Sequence, residues 1–300
     1  MTGLAEIVAG GKPALARALS RIEADRFGDL TIDLLDDAFA APKAGVLGLT
    51  GPPGVGKSTL TRALIGALRA RGETVGVIAV DPSSQVTGGS LLGDRTRLKT
   101  DPQDTGVYVR SMAAGDRLGG LSDATIAATV LMRAVFDRVI VESVGVGQSE
   151  GDIGLVSDAT LLCIQPGSGD SLQFMKAGIM ELPDIIAVTK ADAGAAARRA
   201  VADVEGALSL SGRTVPVLAV SAVTGEGVDA LLEKAANLAA PGDWRARPPR
   251  WLAHSVRATF GAAGLAALAK SRPEADPRRP FATERTILDR FAARWNIAES

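Results

Sequence analysis

Gly51-Pro52-Pro53-Gly54-Val55-Gly56-Lys57-Ser58 packs three glycines, a lysine and a hydroxyl into eight residues. That spacing suits the capture of clustered anionic oxygens. The glycines let successive backbone N–H groups turn inward as a nest of donors, and a helix starting there adds its positive end. Lys57 can then reach the β- and γ-phosphates of a nucleotide, and the Ser58 hydroxyl suits one corner of a Mg²⁺ octahedron, with Thr59 next in the helix. This is the P-loop pattern, and it needs a strand before Gly51 and a helix after Ser58.

Two later segments bear on the base. They are Thr189-Lys190-Ala191-Asp192 and Ser221-Ala222-Val223, the second followed by Thr224-Gly225-Glu226-Gly227. A carboxylate pairs with the adjacent N1–H and N2–H₂ donors of guanine through two parallel charge-assisted bonds, whereas adenine presents an acceptor at N1. Asp192 takes that edge, the Lys190 stem packs over the base, and the Ala222 N–H meets O6 between Ser221 and Val223. These segments resemble the [N/T]KxD and SA elements of GTPases, with Thr189 where asparagine is usual. The ligand expected is GTP or GDP.

Metal and water call for carboxylates. Glu142 ends an apolar run and is followed by Ser143-Val144-Gly145; an acid there holds Mg²⁺ through a water, and Gly145 offers its N–H to the γ-phosphate. Asp81 ends another run and is placed to orient or deprotonate the attacking water, or to touch the metal shell. Asp94 is a second candidate for either job, with Arg95 or Arg97 meeting transition-state charge. The stretch 82–97 is rich in Gly, Ser and charge, as a loop that orders on nucleotide would be. Residues 144–150 form a second such segment, with Gln148 a candidate to orient water.

The elements that must position these groups follow from pattern. Apolar runs at 46–50, 74–80, 107–110, 138–142, 159–165, 185–189 and 215–220 read as strands, several of them covered on both faces. Helical patterns lie between most of them, including 59–71, 123–136 and 195–208. The alternation predicts an α/β fold with a mainly parallel, doubly wound sheet, binding ligands at the carboxyl ends of its strands. Leu15, Leu19 and Ile22 mark one helix over 12–25. The prolines and arginines of 241–250 read as a linker. Beyond it, Leu252, Val256 and Phe260 mark a helix, and Ile287, Leu288, Phe291 and Trp295 another with Thr283 as N-cap. The division expected is an N-terminal helical segment at 1–44, a nucleotide domain at 45–240 and a C-terminal helical extension at 241–300.

Composition narrows the class. With 33 basic and 34 acidic side chains the formal net charge is −1, without the basic excess of a nucleic-acid binder. One cysteine excludes an internal disulfide, and Cys163, inside an apolar run, reads as a small buried hydrophobe. One histidine, His254, builds no metal site alone. Without a secretory leader or a long apolar span, the expected location is cytoplasmic, away from membranes.

Taken in order and spacing, GPPGVGKST, DPSSQVTGGSLLGDRTR, ESVGVGQSE, TKAD and SAVTGEG are similar to the MeaB/ArgK-type GTPases, and ALARALSRIE to their N-terminal helix. These are methylmalonyl-CoA mutase-associated chaperones of the SIMIBI class of P-loop GTPases. The resemblance spans roughly residues 12–240. It implies a GTPase that gates loading of adenosylcobalamin into a B12-dependent acyl-CoA mutase and protects that enzyme. It implies Lys57, Ser58 and Glu142 at phosphate and Mg²⁺, Asp81 and Asp94 in a first switch, 145–150 in a switch that signals to the partner, and Asp192 on guanine. It also implies a homodimer formed partly by a C-terminal arm, although the sequence from Pro241 departs from the pattern of that arm. Three other readings stand beside it: a kinase passing the γ-phosphate to a small molecule or protein, a nickel-insertion GTPase, and a nucleotide-dependent interaction module without useful turnover.

Overall fold

Residues 3–81, 98, 100–114, 120–145, 149–167, 183–210, 212–238, 244–271 and 276–294 are described by the structure, a computed structural model. The strands among them are β1 (Gly45–Thr50), β2 (Val75–Asp81), β3 (Val107–Ala113), β4 (Arg138–Glu142), β5 (Ala159–Ile164), β6 (Ile185–Val188) and β7 (Val217–Ala219). The longer helices are α1 (Leu4–Ala24), α2 (Asp29–Ala40), α3 (Lys57–Ala70), α4 (Asp123–Val135), α5 (Ala195–Leu210), α6 (Val228–Leu238), α7 (Pro248–Ser271) and α8 (Pro280–Arg294). Two compact units result. One comprises Ala44–Ser122 and Phe136–Gly242; the other joins Met1–Lys43, Asp123–Val135 and Asp243–Ser300.

The first unit is built on a seven-stranded sheet in the order β3-β2-β4-β1-β5-β6-β7. Every pairing is parallel. Parallel strands need crossovers that lay helices on the sheet faces, so their residues are apolar on both sides. Accordingly β2 and β5 are buried along their whole length. On one face Leu47, Leu49, Val77 and Leu161 pack with Leu60 and Leu64 of α3 and Leu231 of α6. On the other, Leu162, Ile164 and Ile186 meet Val204 and Leu208 of α5. The fold class anticipated from the sequence is the one found.

In the second unit, α1 runs on both sides of a break at Gly11, whose φ of 59° is left-handed. Leu15, Leu19 and Ile22 are buried as their spacing requires. A helix at 29–40 that the sequence reading passed over buries Ile32, Leu35 and Phe39. Its four aspartates obscured the apolar stripe. The supposed linker at 241–250 is corrected from residue 244 onward. Trp244 is buried in a 3-10 turn, and α7 starts at Pro248, because proline is at ease in the first turn of a helix. Trp244 packs edge-on against Trp251 at 5.0 Å, and the Arg133 guanidinium lies 4.1 Å from the Trp244 ring centre. Thr283 is not the N-cap of α8, which opens at Pro280; its hydroxyl accepts the Asp276 N–H at 3.2 Å, while Asp36 accepts the Phe281 N–H at 2.9 Å. The guanidinium of Arg26 joins Glu284 at 2.9 Å and Asp123 at 3.2 Å, and the buried Ser255 hydroxyl lies between both carboxylates.

Cys163 sits in β5 with no exposed surface, and burial pushes its thiol up to about 12, with Lys57 working against that shift and Glu142 adding to it. The thiolate is therefore scarce at any physiological pH. A disulfide exchange reagent at about pH 8 will leave the folded protein unlabelled and react with one thiol per chain on unfolding; prompt labelling of the native state would contradict this burial.

Candidate nucleotide site

Because all the strands run parallel, all their carboxyl ends fall on one edge of the sheet. β1 lies between β4 and β5, so the chain leaves it toward one side and later returns on the other. Loops diverge at such a reversal and leave a crevice for a ligand. The loop that follows β1 occupies this position. Gly51, Gly54 and Gly56 have φ of 137°, 76° and 100°. The side-chain-free backbone is needed at Gly51, where a Cβ would stand 2.4 Å from the Cys163 carbonyl oxygen on β5. Gly56 is the left-handed N-cap of α3, and Leu60 N–H bonds its carbonyl at 2.9 Å. Lys57, 7% exposed, donates from Nζ to Gly51 O at 2.6 Å and Pro52 O at 3.1 Å.

Glu142 ends β4, the other neighbour of β1, and is buried. Its carboxylate accepts the Ser58 hydroxyl at 2.7 Å and the Thr61 hydroxyl at 3.0 Å. Thr61 escaped the sequence reading, though it follows Ser58 by three residues and therefore shares its helix face. The next residue, Ser143, donates N–H to Leu49 O at 2.9 Å and its hydroxyl to Thr50 at 3.0 Å, tying β4's exit to β1's. Gly145 has φ 79°, and a Cβ there would lie 1.9 Å from Gly51 O and 2.6 Å from Lys57 Nζ. The backbone at 145 thus packs directly on the phosphate loop and its lysine. Asp81 ends β2 and is 2% exposed; its carbonyl accepts the Ala114 N–H at 2.8 Å. Asp94, Arg95, Arg97 and Gln148 lie outside the described residues.

On the far side of β1, Thr189 follows β6 and is 5% exposed. Its hydroxyl lies 2.7 Å from Val55 O and 3.0 Å from Ile164 O, linking the phosphate loop to the ends of β5 and β6. The threonine is engaged with protein backbone. Lys190 is left-handed at φ 56° and donates to Gln165 Oε1 at 2.6 Å, a partner the sequence reading did not foresee. Asp192 is exposed, and its carboxylate accepts the hydroxyl of the fully buried Ser221 at 2.6 Å. That same oxygen accepts the N–H groups of Val223 at 3.3 Å and Thr224 at 3.2 Å, so one serine orients the carboxylate and shapes the turn. Ala222 is half-buried and Val223 81% exposed. The structure thus gathers Gly51–Ser58, Asp81, Glu142, Gly145, Thr189, Asp192 and Ser221 at the ends of successive parallel strands.

The family model for methylmalonyl-CoA mutase-associated GTPase MeaB matches residues 15–241. A Pyrococcus horikoshii protein that carries the GTPase name is 46% identical over 204 residues, covering 64% of this chain and 62% of its own length. The methylmalonic aciduria type A homolog of Mus musculus, a mitochondrial protein, is 36% identical over 243 residues, 74% of this chain and 59% of its own. The chain thus spans about three-fifths of each of these two relatives. A crystal structure of an LAO/AO transport system kinase superposes with a TM-score of 0.64 at 25% identity, over 95% of this chain and 97% of that one. With the phosphate loop, the strand-end acid and the Ser221–Thr224 turn on one edge, and three-quarters of its length matched by one family model, the chain belongs to the MeaB family of methylmalonyl-CoA mutase-associated GTPases.

Proposed function

We propose that the chain binds GTP with Mg²⁺, hydrolyses it to GDP and phosphate, and transmits its nucleotide state to a B12-dependent acyl-CoA mutase whose adenosylcobalamin loading it gates and protects. The observation that supports this best is the Glu142 carboxylate held against Ser58 and Thr61, on the same sheet edge as the Asp192–Ser221 pair. The first grouping suits a triphosphate and the second a guanine.

Hard oxygen donors fit magnesium: the Ser58 hydroxyl would hold it with Glu142 behind, and it would neutralise charge on the β- and γ-phosphates. The other roles belong to the chain itself. Backbone N–H groups of the loop surround phosphate oxygens, and Lys57 exchanges the Gly51 and Pro52 carbonyls for them. Gly145 offers its N–H to the γ-phosphate. Asp81 or Asp94 orients the attacking water. Asp192 reads the N1 and N2 edge of guanine, with Lys190 over the ring and Ala222 at O6. Positioning and charge stabilisation suffice for this reaction. Loss of the γ-phosphate relaxes the segment that starts at Gly145, and the mutase reads that change on a homodimer.

A kinase reading draws on one structural relative, the LAO/AO transport system kinase. It needs an acceptor site with its own base, for which the sequence holds no separate motif. Nickel handling needs soft or imidazole ligands. Cys163 is buried, and among the described residues no group of three His, Cys, Asp or Glu side chains is placed to hold a metal ion.

With γ-labelled GTP, label will appear as inorganic phosphate; label on a protein or metabolite would favour the kinase. Glu142→Gln keeps the shape and removes the charge, and should lower kcat by about 10²-fold in single-turnover assays without changing the thermal midpoint by more than a few degrees. Gly145→Ala should impair GTP hydrolysis at least as severely, since its methyl meets a backbone oxygen and the lysine. Unchanged turnover in either variant would remove that residue from the mechanism. Immobilised protein loaded with a nonhydrolysable GTP analogue should retain a B12-dependent mutase from cytosol that the GDP form releases. A hydrogenase or urease subunit in its place would contradict the client assignment.

A further inference from the structure

The stretch 244–271 contains Arg245, Arg247, Arg250, Arg257 and Lys270 and not one aspartate or glutamate, in a chain whose formal net charge is −1. The fold makes this a surface. Arg250 and Arg257 are seven residues apart on α7, hence on one face and about 10 Å apart along the axis. Trp251, Ser255 and Val256 turn the opposite face into the unit. Arg245 sits exposed in the turn before the helix. Elsewhere in this unit Arg26 is matched with Asp123 and Glu284, Arg279 with Asp33 and Asp36, and Arg285 with Asp29. Among the described residues no ion pair takes in Arg245, Arg250 or Arg257.

We propose that this outward face of α7 docks an acidic protein surface, with Arg250 and Arg257 as the reading pair and Arg245 beside them. Guanidinium groups pair with carboxylates through two parallel bonds, which sets orientation as well as attraction. Nucleic acid fits less well, because the aromatic rings that would stack on bases, Trp244 and Trp251, are each only 3% exposed. A bilayer fits less well too: the helix positions flanking the two arginines are Ala253, His254, Phe260 and Gly261, and the one large apolar side chain among them, Phe260, is packed edge-on against Phe291 at 5.9 Å. Exposed charge pairs contribute modestly to affinity and more to the speed and register of docking. The face belongs to the helical unit, and its test does not depend on nucleotide hydrolysis.

The probe is a fluorescent helical peptide of about 20 residues made of Glu, Ala and Leu, followed by anisotropy with the full chain in low salt. Wild type should bind it, and raising salt toward about 0.3 M should weaken the complex. The double variant Arg250→Glu with Arg257→Glu should lose roughly tenfold or more in affinity and gain binding to the same peptide with Lys for Glu. If the reversed pair lowers the folded fraction by circular dichroism, Arg250→Gln with Arg257→Gln should show the same loss of the acidic peptide. Equal binding by wild type and variant, or no binding by wild type, would overturn the proposal. So would tighter, equally arginine-dependent binding of a single-stranded RNA or of phosphatidylserine vesicles.

Discussion

The placement of β1 between β4 and β5, with all three strands parallel, is the constraint on which the rest of the site depends. It fixes the exit of β1 in the middle of the sheet, where Gly51 turns against the Cys163 carbonyl and Gly145 closes on the Gly51 carbonyl. A single antiparallel strand there would send one of these groups to the opposite edge. The loop's nest, the β4 acid and the β6 exit meet because their strands point the same way. The apolar content of β2 and β5 is what makes such an arrangement affordable, since parallel strands this deeply covered leave few polar groups to satisfy away from their ends.

Three buried polar side chains at that edge are engaged by the loop, by α3 and by a neighbouring strand end. Lys57 uses two loop carbonyls, Glu142 two hydroxyls of α3, Thr189 the carbonyls of Val55 and Ile164. Left without partners, such groups would cost about 1–3 kcal/mol each, more for the charges. The same contacts couple the parts. Val55 belongs to the phosphate loop and Thr189 follows β6, so displacement of one pulls on the other. Ser221 does the equivalent work beside Asp192, holding the carboxylate and the Val223–Thr224 turn through a single oxygen.

The sheet and the phosphate loop were legible because their signals are local: period-two or continuous apolar runs, and glycines whose left-handed φ the loop requires. The core of every strand was placed correctly and β4 matched at both ends, while each of the others was displaced by a residue or more at one end or both. Less was legible where a side chain serves a distant partner. Thr61 reads as one hydroxyl among several in a helix until β4 delivers Glu142 to it, 81 residues away. Gln165 gains its part only through the left-handed turn at Lys190. The terminal unit was read least well. The prolines that open α7 mimic a linker although the first helical turn accepts them, and aspartates in α2 dilute a stripe that tertiary packing recovers. The first-switch candidate Asp94 falls outside the described residues, so the division of labour with Asp81 rests on chemistry alone.

We propose that one sheet edge joins a phosphate grip at Lys57 to a purine-reading carboxylate at Asp192. Calorimetric titration of the wild type and of Asp192→Asn with GTP and with ATP, each with magnesium, tests it most directly. Wild type should prefer GTP by orders of magnitude, and the variant should lose about 10- to 100-fold in GTP affinity while ATP binding stays weak. Equal affinities for the two nucleotides, or GTP binding indifferent to the loss of that charge, would contradict it.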